Sequence, residues 1–242
     1  MSPVSPPQSA PSSYAQLEIW LTDGWKMVVR HFPALVLIAL VADLPLTLIR
    51  SAADNVDNGV LSFLMGFPAI ALITPLAKAA AIVAVDRWDR GQPGAVAAAF
   101  GALLRTFPLL LIASLAWTLA VFAGVALLVI PGVIVLVLGQ CLMGAVILER
   151  RSLKEAALRT VALVRPRFFA VLALFLMVQA IAGIGSAILE PLVGLVADGW
   201  VLDLATGALT SPLAFAPLAV LFLRSRALDD GHAAATDSSA GT

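Results

Sequence analysis

The chain has 242 residues, 61% of them hydrophobic and 12% charged, where soluble domains carry about 25% charged residues. Its 15 basic and 15 acidic residues cancel, so no global charge points to nucleic acid or to an acidic substrate. Its single cysteine, Cys141, excludes a disulfide framework or a cysteine cluster for zinc.

Residues 1–13 are rich in proline and serine and read as a disordered tail. They have neither the basic start nor the apolar stretch of a cleaved signal peptide. Next, Leu17, Trp20, Leu21, Gly24 and Val28 share one helical face while Glu18, Lys26 and Arg30 fall elsewhere, as in a helix lying at a membrane interface. The membrane domain is expected over 14–226, with six spans. The first runs from Phe32 to Ile49 and contains Asp43 and Pro45; the second runs from Val60 to Val85 and contains Lys78.

The third and fourth spans, Pro108 to Ile130 and Gly132 to Leu148, lie in a run from Phe107 to Leu148 of 42 residues without a charge. Two spans of about 20 residues joined by a tight turn require such a run. The turn is expected at Pro131-Gly132, where proline lacks a backbone donor and glycine tolerates unusual backbone angles. Ser152-Leu-Lys-Glu155 then matches a capping box, and Leu153, Ala157, Val161 and Val164 make an apolar stripe. The fifth and sixth spans are Phe168 to Leu189 and Leu204 to Leu223, and 227–242 reads as a second disordered tail. The expected fold class is therefore all-α: a polytopic membrane protein of six transmembrane helices with cytoplasmic amphipathic interfacial helices.

Basic residues orient the spans, because cytoplasmic loops retain lysine and arginine during insertion. With both termini inside, thirteen basic residues face the cytoplasm against Arg50 alone on the other side, and Lys78 lies within a span. An amphipathic segment, an arginine, an aromatic or proline, and then a span recur at Trp25 to Pro33, Phe100 to Pro108 and Val161 to Phe168, which suggests a repeated unit. Arg30, Arg105, Arg165 and Arg167 at these entries are candidate contacts to lipid headgroups, anionic ones above all. Trp20, Trp25, Trp88 and Trp200 read as an aromatic belt, with Trp117 inside a span.

Little in the chain reads as chemistry. His31 sits at an interface and His232 in a tail, Ser114 has no nearby histidine, and Gly183-Ile-Gly185 reads as helix packing rather than a nucleotide loop. No cofactor, metal or catalytic residue is expected. Asp43 and Lys78 stand apart, because an ionisable group inside a bilayer is costly and is commonly paired, snorkelling or functional. Adjacent antiparallel spans would let them meet as an ion pair.

The stretch Ile130-Pro131-Gly132-Val133-Ile134, a span ending Val146-Ile-Leu-Glu149, Ser152-Leu-Lys-Glu-Ala156-Ala-Leu158-Arg159 and Val161-Ala-Leu-Val-Arg165 with Phe168-Phe169 resembles the membrane domain of glycerophosphoryl diester phosphodiesterases. It is also similar to stand-alone bacterial relatives of that domain, the YciC-like inner-membrane proteins. The resemblance implies a six-span helical domain in the inner membrane, without the catalytic phosphodiesterase domain. Where that family favours serine and glycine, this chain has Thr160 and Arg165-Pro166. The expected role is non-enzymatic: membrane-organising, lipid-interacting or accessory. The alternatives are a transporter or channel for ions or small molecules, and the membrane subunit of a separately encoded enzyme.

Overall fold

A computed structural model describes residues 13–54 and 59–240, and these are almost entirely helical. In chain order the helices are α1 Ser13–Asp54, α2 Gly59–Asp89, α3 Ala95–Leu127, α4 Val129–Leu138, α5 Leu142–Ile147, α6 Leu153–Val164, α7 Phe168–Val193 and α8 Gly199–Ala240. Short 3-10 turns at Gly139–Cys141 and Arg165–Arg167 join α4 to α5 and α6 to α7. Five stretches are long and apolar enough to cross a membrane: Leu17–Ala53, Ala95–Leu127, Ile130–Ile147, Leu153–Val193 and Gly199–Asp230. Helix α2, at 31 residues, covers the remaining predicted span.

The bundle is built around α2 and α8. Ala79, Ala80, Ala81 and Ala84 of α2 and Ala216, Ala219, Leu221 and Phe222 of α8 are buried, and α1 packs antiparallel along α8. Small side chains allow this close approach, where packing and not expulsion of water must join apolar helices. A methyl group added at Gly24 would sit 2.7 Å from Pro217 Cα, and one at Gly144 would sit 2.6 Å from the Phe222 ring. Large apolar side chains instead cover the outside: Ile112, Leu115, Leu119 and Phe122 on α3, and Met177, Ile181, Ile184 and Ile188 on α7. Water-soluble monomers rarely expose so continuous an apolar surface.

The central hairpin forms, but its break falls at Leu128 (φ −166°, ψ 142°), three residues before the expected Pro131-Gly132. Pro131 lies in the first turn of α4, where the missing N–H would have no intrahelical partner. Gly132 acts through its lack of a side chain: a Cβ there would meet Val125 Cγ2 at 2.3 Å and Val125 N at 2.8 Å. Farther from the turn, Trp117 Nε1 donates to the Val135 carbonyl at 3.4 Å, so α3 and α4 run antiparallel.

The three span entries differ. Non-helical angles at His31 (φ −119°, ψ 20°) divide α1 two residues before Pro33, whose ring disturbs the preceding turn. The third entry turns through the 3-10 segment Arg165–Arg167. The second does not turn: α3 runs unbroken through Pro108, so a strict threefold repeat fails there. Pro108 leaves the Leu104 carbonyl without its intrahelical donor, yet the helix continues on both sides.

Other expectations are corrected. Helix α8 runs as far as Ala240, past Asp229 and Asp230, both paired with Arg159. The N-terminal tail lies outside the described residues except Ser13, which opens α1. Trp20 is 1% exposed and belongs to the core instead of an aromatic belt. A Cβ added at Gly183 would meet nothing within 4 Å, whereas one added at Gly185 would lie 3.3 Å from Leu213 Cδ1.

Candidate functional site

Asp43 and Lys78 are not an ion pair. Asp43 Oδ2 accepts a hydrogen bond from Ser211 Oγ at 3.1 Å, tying α1 to α8. Lys78 Nζ donates to Gln140 Oε1 at 3.2 Å and lies 6.0 Å from the centre of the Trp117 ring. Gln140 in turn donates through Nε2 to the Leu136 carbonyl at 2.7 Å, so both ends of its amide are used. Sequence spacing could place the two ionisable groups at similar depth, but it could not say which faces of α1 and α2 meet. The Ser211 and Gln140 partners come from 168 and 62 residues away.

Both side chains nevertheless line one cavity of about 320 Å³ among α1, α2, α7 and α8. Arg50, Gln179, Asp203 and Thr210 are among the residues of its polar wall. The cavity thus holds two acids and two bases in an otherwise apolar bundle, a composition suited to water, a proton or a small polar solute. Arg50, Gln179 and Asp203 are residues whose part in this site periodicity did not reveal.

The other polar region gathers at the opposite end, where α2 meets α3 and α5 leads through α6 to α7. Here the motif residues Glu149 and Arg159 come together at 3.6 Å. Glu149 also pairs with Arg151 at 2.5 Å and Arg226 at 3.6 Å, and Arg159 reaches Asp229 and Asp230 of α8. This network ties the α5–α6 connection to α8. Of the other motif residues, Ala156 is buried on the inner face of α6, Leu158 is 62% exposed, and Pro131 and Gly132 serve the distant hairpin. Nearby, His31 stacks on Trp88 with ring centres 4.2 Å apart, and Arg224 pairs with Asp23 at 3.2 Å and Asp89 at 3.3 Å.

The four candidate headgroup arginines do not form one site. Arg30 lines a hollow of about 230 Å³ with Lys26 and Arg224. Arg105 faces a separate groove, and Arg165 and Arg167 flank Pro166 in the turn before α7. None of the four forms an ion pair with any described residue. Among the described residues no three histidine, cysteine or acidic side chains group closely enough to hold a metal. In comparisons with protein families, curated proteins and solved structures, the chain has no match.

Proposed function

We propose that this chain is a multi-pass protein of the bacterial cytoplasmic membrane, with both termini inside, that interacts with lipid and organises it without enzymatic chemistry of its own. The reading is supported above all by how cations are shared out at the arginine-rich end. Arg90, Arg151, Arg159, Arg224 and Arg226 are matched by carboxylates, whereas Arg30, Arg87, Arg105, Arg150, Arg165 and Arg167 form no ion pair with any described residue. Cations left unmatched beside an apolar belt suit an anionic headgroup layer, with about 1 kcal/mol of attraction for each residue near the surface.

The test is to purify the protein in mild detergent and identify retained lipids by mass spectrometry. Acidic phospholipids enriched over their share of the source membrane are expected. Recovery of lipids in bulk proportions would overturn the reading.

The polar cavity favours transport as a second reading. In sealed vesicles containing the protein and a pH-sensitive dye, a proton leak above that of empty vesicles, lost in Asp43→Asn, would move the proposal to transport.

A further inference from the structure

One groove combines unmatched cations with an apolar floor. It holds about 840 Å³ between α2, α3 and the end of α5. Arg87, Arg105 and Arg150 line it, and no acidic residue does. Arg87 uses one guanidinium nitrogen on the Pro93 carbonyl at 3.4 Å. Arg105 and Arg150 form no ion pair with any described residue, while their neighbours Arg90 and Arg151 do.

Arg150 has φ 51°, the left-handed region that arginine seldom occupies. The break between α5 and α6 therefore holds it in an unfavourable backbone state beside the groove, the kind of local strain that collects at binding sites. The rest of the lining is largely apolar, with Ala98, Leu109, Val146 and Ile147. Gly101 lies on the same wall, and a Cβ added there would meet nothing within 4 Å.

We infer that this groove binds one acidic phospholipid, its phosphate held by Arg87, Arg105 and Arg150 and the start of one acyl chain lying along α3. Planar guanidinium groups suit phosphate oxygens because they donate two parallel hydrogen bonds. Three cations without a carboxylate would repel one another, and a bound anion relieves that repulsion. The apolar floor selects lipid over free phosphate, since a small hydrated anion gains nothing from Ala98 and Leu109. The site rests on the lipid-interacting reading and gives it a location and a headgroup charge.

The experiment titrates the purified full chain with phosphatidylglycerol and, separately, phosphatidylcholine, counting bound lipids by native mass spectrometry. Wild type is expected to retain one phosphatidylglycerol that phosphatidylcholine does not replace. The double variant Arg105→Gln, Arg150→Gln should weaken that binding by about tenfold or more, as loss of charge-assisted contacts implies. Gly101→Leu, which keeps every charge and fills the open wall, should weaken it as well. Lys154→Gln, which removes an exposed charge of α6 outside the groove, should leave it unchanged, and each variant's melting temperature is measured alongside.

Equal binding of phosphatidylglycerol by wild type and by both groove variants would overturn the site while leaving the broader reading standing. Absence of any preference for acidic lipid in wild type would overturn both. Displacement of the lipid by inorganic phosphate or glycerol phosphate would show an anion site and overturn the assignment to lipid. If the double glutamine variant melts much lower, Gly101→Leu and the charge-preserving Arg105→Lys decide. Loss of binding in the former and its retention in the latter support the site, and the reverse overturns it.

Discussion

Gly132 shows how little space separates α3 from α4, since a single methyl would overlap the backbone of Val125. Gly132→Ala should therefore lower stability in detergent by about 1–3 kcal/mol, the usual cost of overpacking, as read from thermal unfolding. Gly183→Ala, with open space around it, should be neutral or gain up to about 1 kcal/mol from better helix propensity. At Lys78 the partner has changed from the one spacing suggested, and the prediction changes with it. A double-mutant cycle of Lys78→Met with Gln140→Leu should show a coupling of about 0.5–1.5 kcal/mol, the range for one hydrogen bond. The cycle with Asp43→Asn should show less, and the opposite ranking would mean that the pair expected from sequence forms after all. Hydropathy made the cost of burying Asp43 and Lys78 legible. Which groups relieve that cost was not legible, because hydrogen-bond partners depend on helix rotation, which uniformly apolar faces do not encode.

Helix α6 is the element whose local code was clearest. Ser152 accepts from the Glu155 N–H at 3.4 Å, and Glu155 accepts from the Ser152 N–H at 3.1 Å, so the capping box read from four letters is present. Those contacts hold the Glu155 carboxyl below its ordinary range. A lowered value in the folded state means that the contribution is present above the usual carboxylate range and is lost as pH falls through the folded value. Ser152→Ala should cost about 1 kcal/mol at neutral pH, and the gap from wild type should narrow in acid; melting curves at several pH values check both. Starts and stops set by proline were less legible. Pro131, Pro108 and Pro33 each sit in or just before helix, yet the chain breaks three residues before the first, runs straight through the second and bends two residues before the third. Proline removes a donor, but neighbouring packing decides where the chain responds.

For the whole molecule, a thirteen-to-one bias of basic residues supports an orientation with both termini inside. A reporter joined after Thr242 should be active in the cytoplasm and one inserted within 52–58 should be active outside. Exchanged activities would reverse the proposed placement and move the arginine groove to the other leaflet. The apolar helical runs could be read from hydropathy alone. The inward position of α2 and α8 could not, because alanine-rich stretches such as Ala79-Ala80-Ala81 are only moderately hydrophobic and owe their burial to smallness.

Arg159 reaches from α6 to Asp229 and Asp230 near the end of α8, so the connection between the fourth and fifth predicted spans is fastened to the rest of the protein. In terms of hydrogen exchange, the amides of α6 should be protected to nearly the degree of the bundle, instead of exchanging at the fast rate of a peptide resting on headgroups. Arg159→Gln should raise exchange in α6 and in the last turns of α8 together while leaving the α3–α4 hairpin unchanged. Two segments about 70 residues apart would then open and close as one unit, held by a single guanidinium.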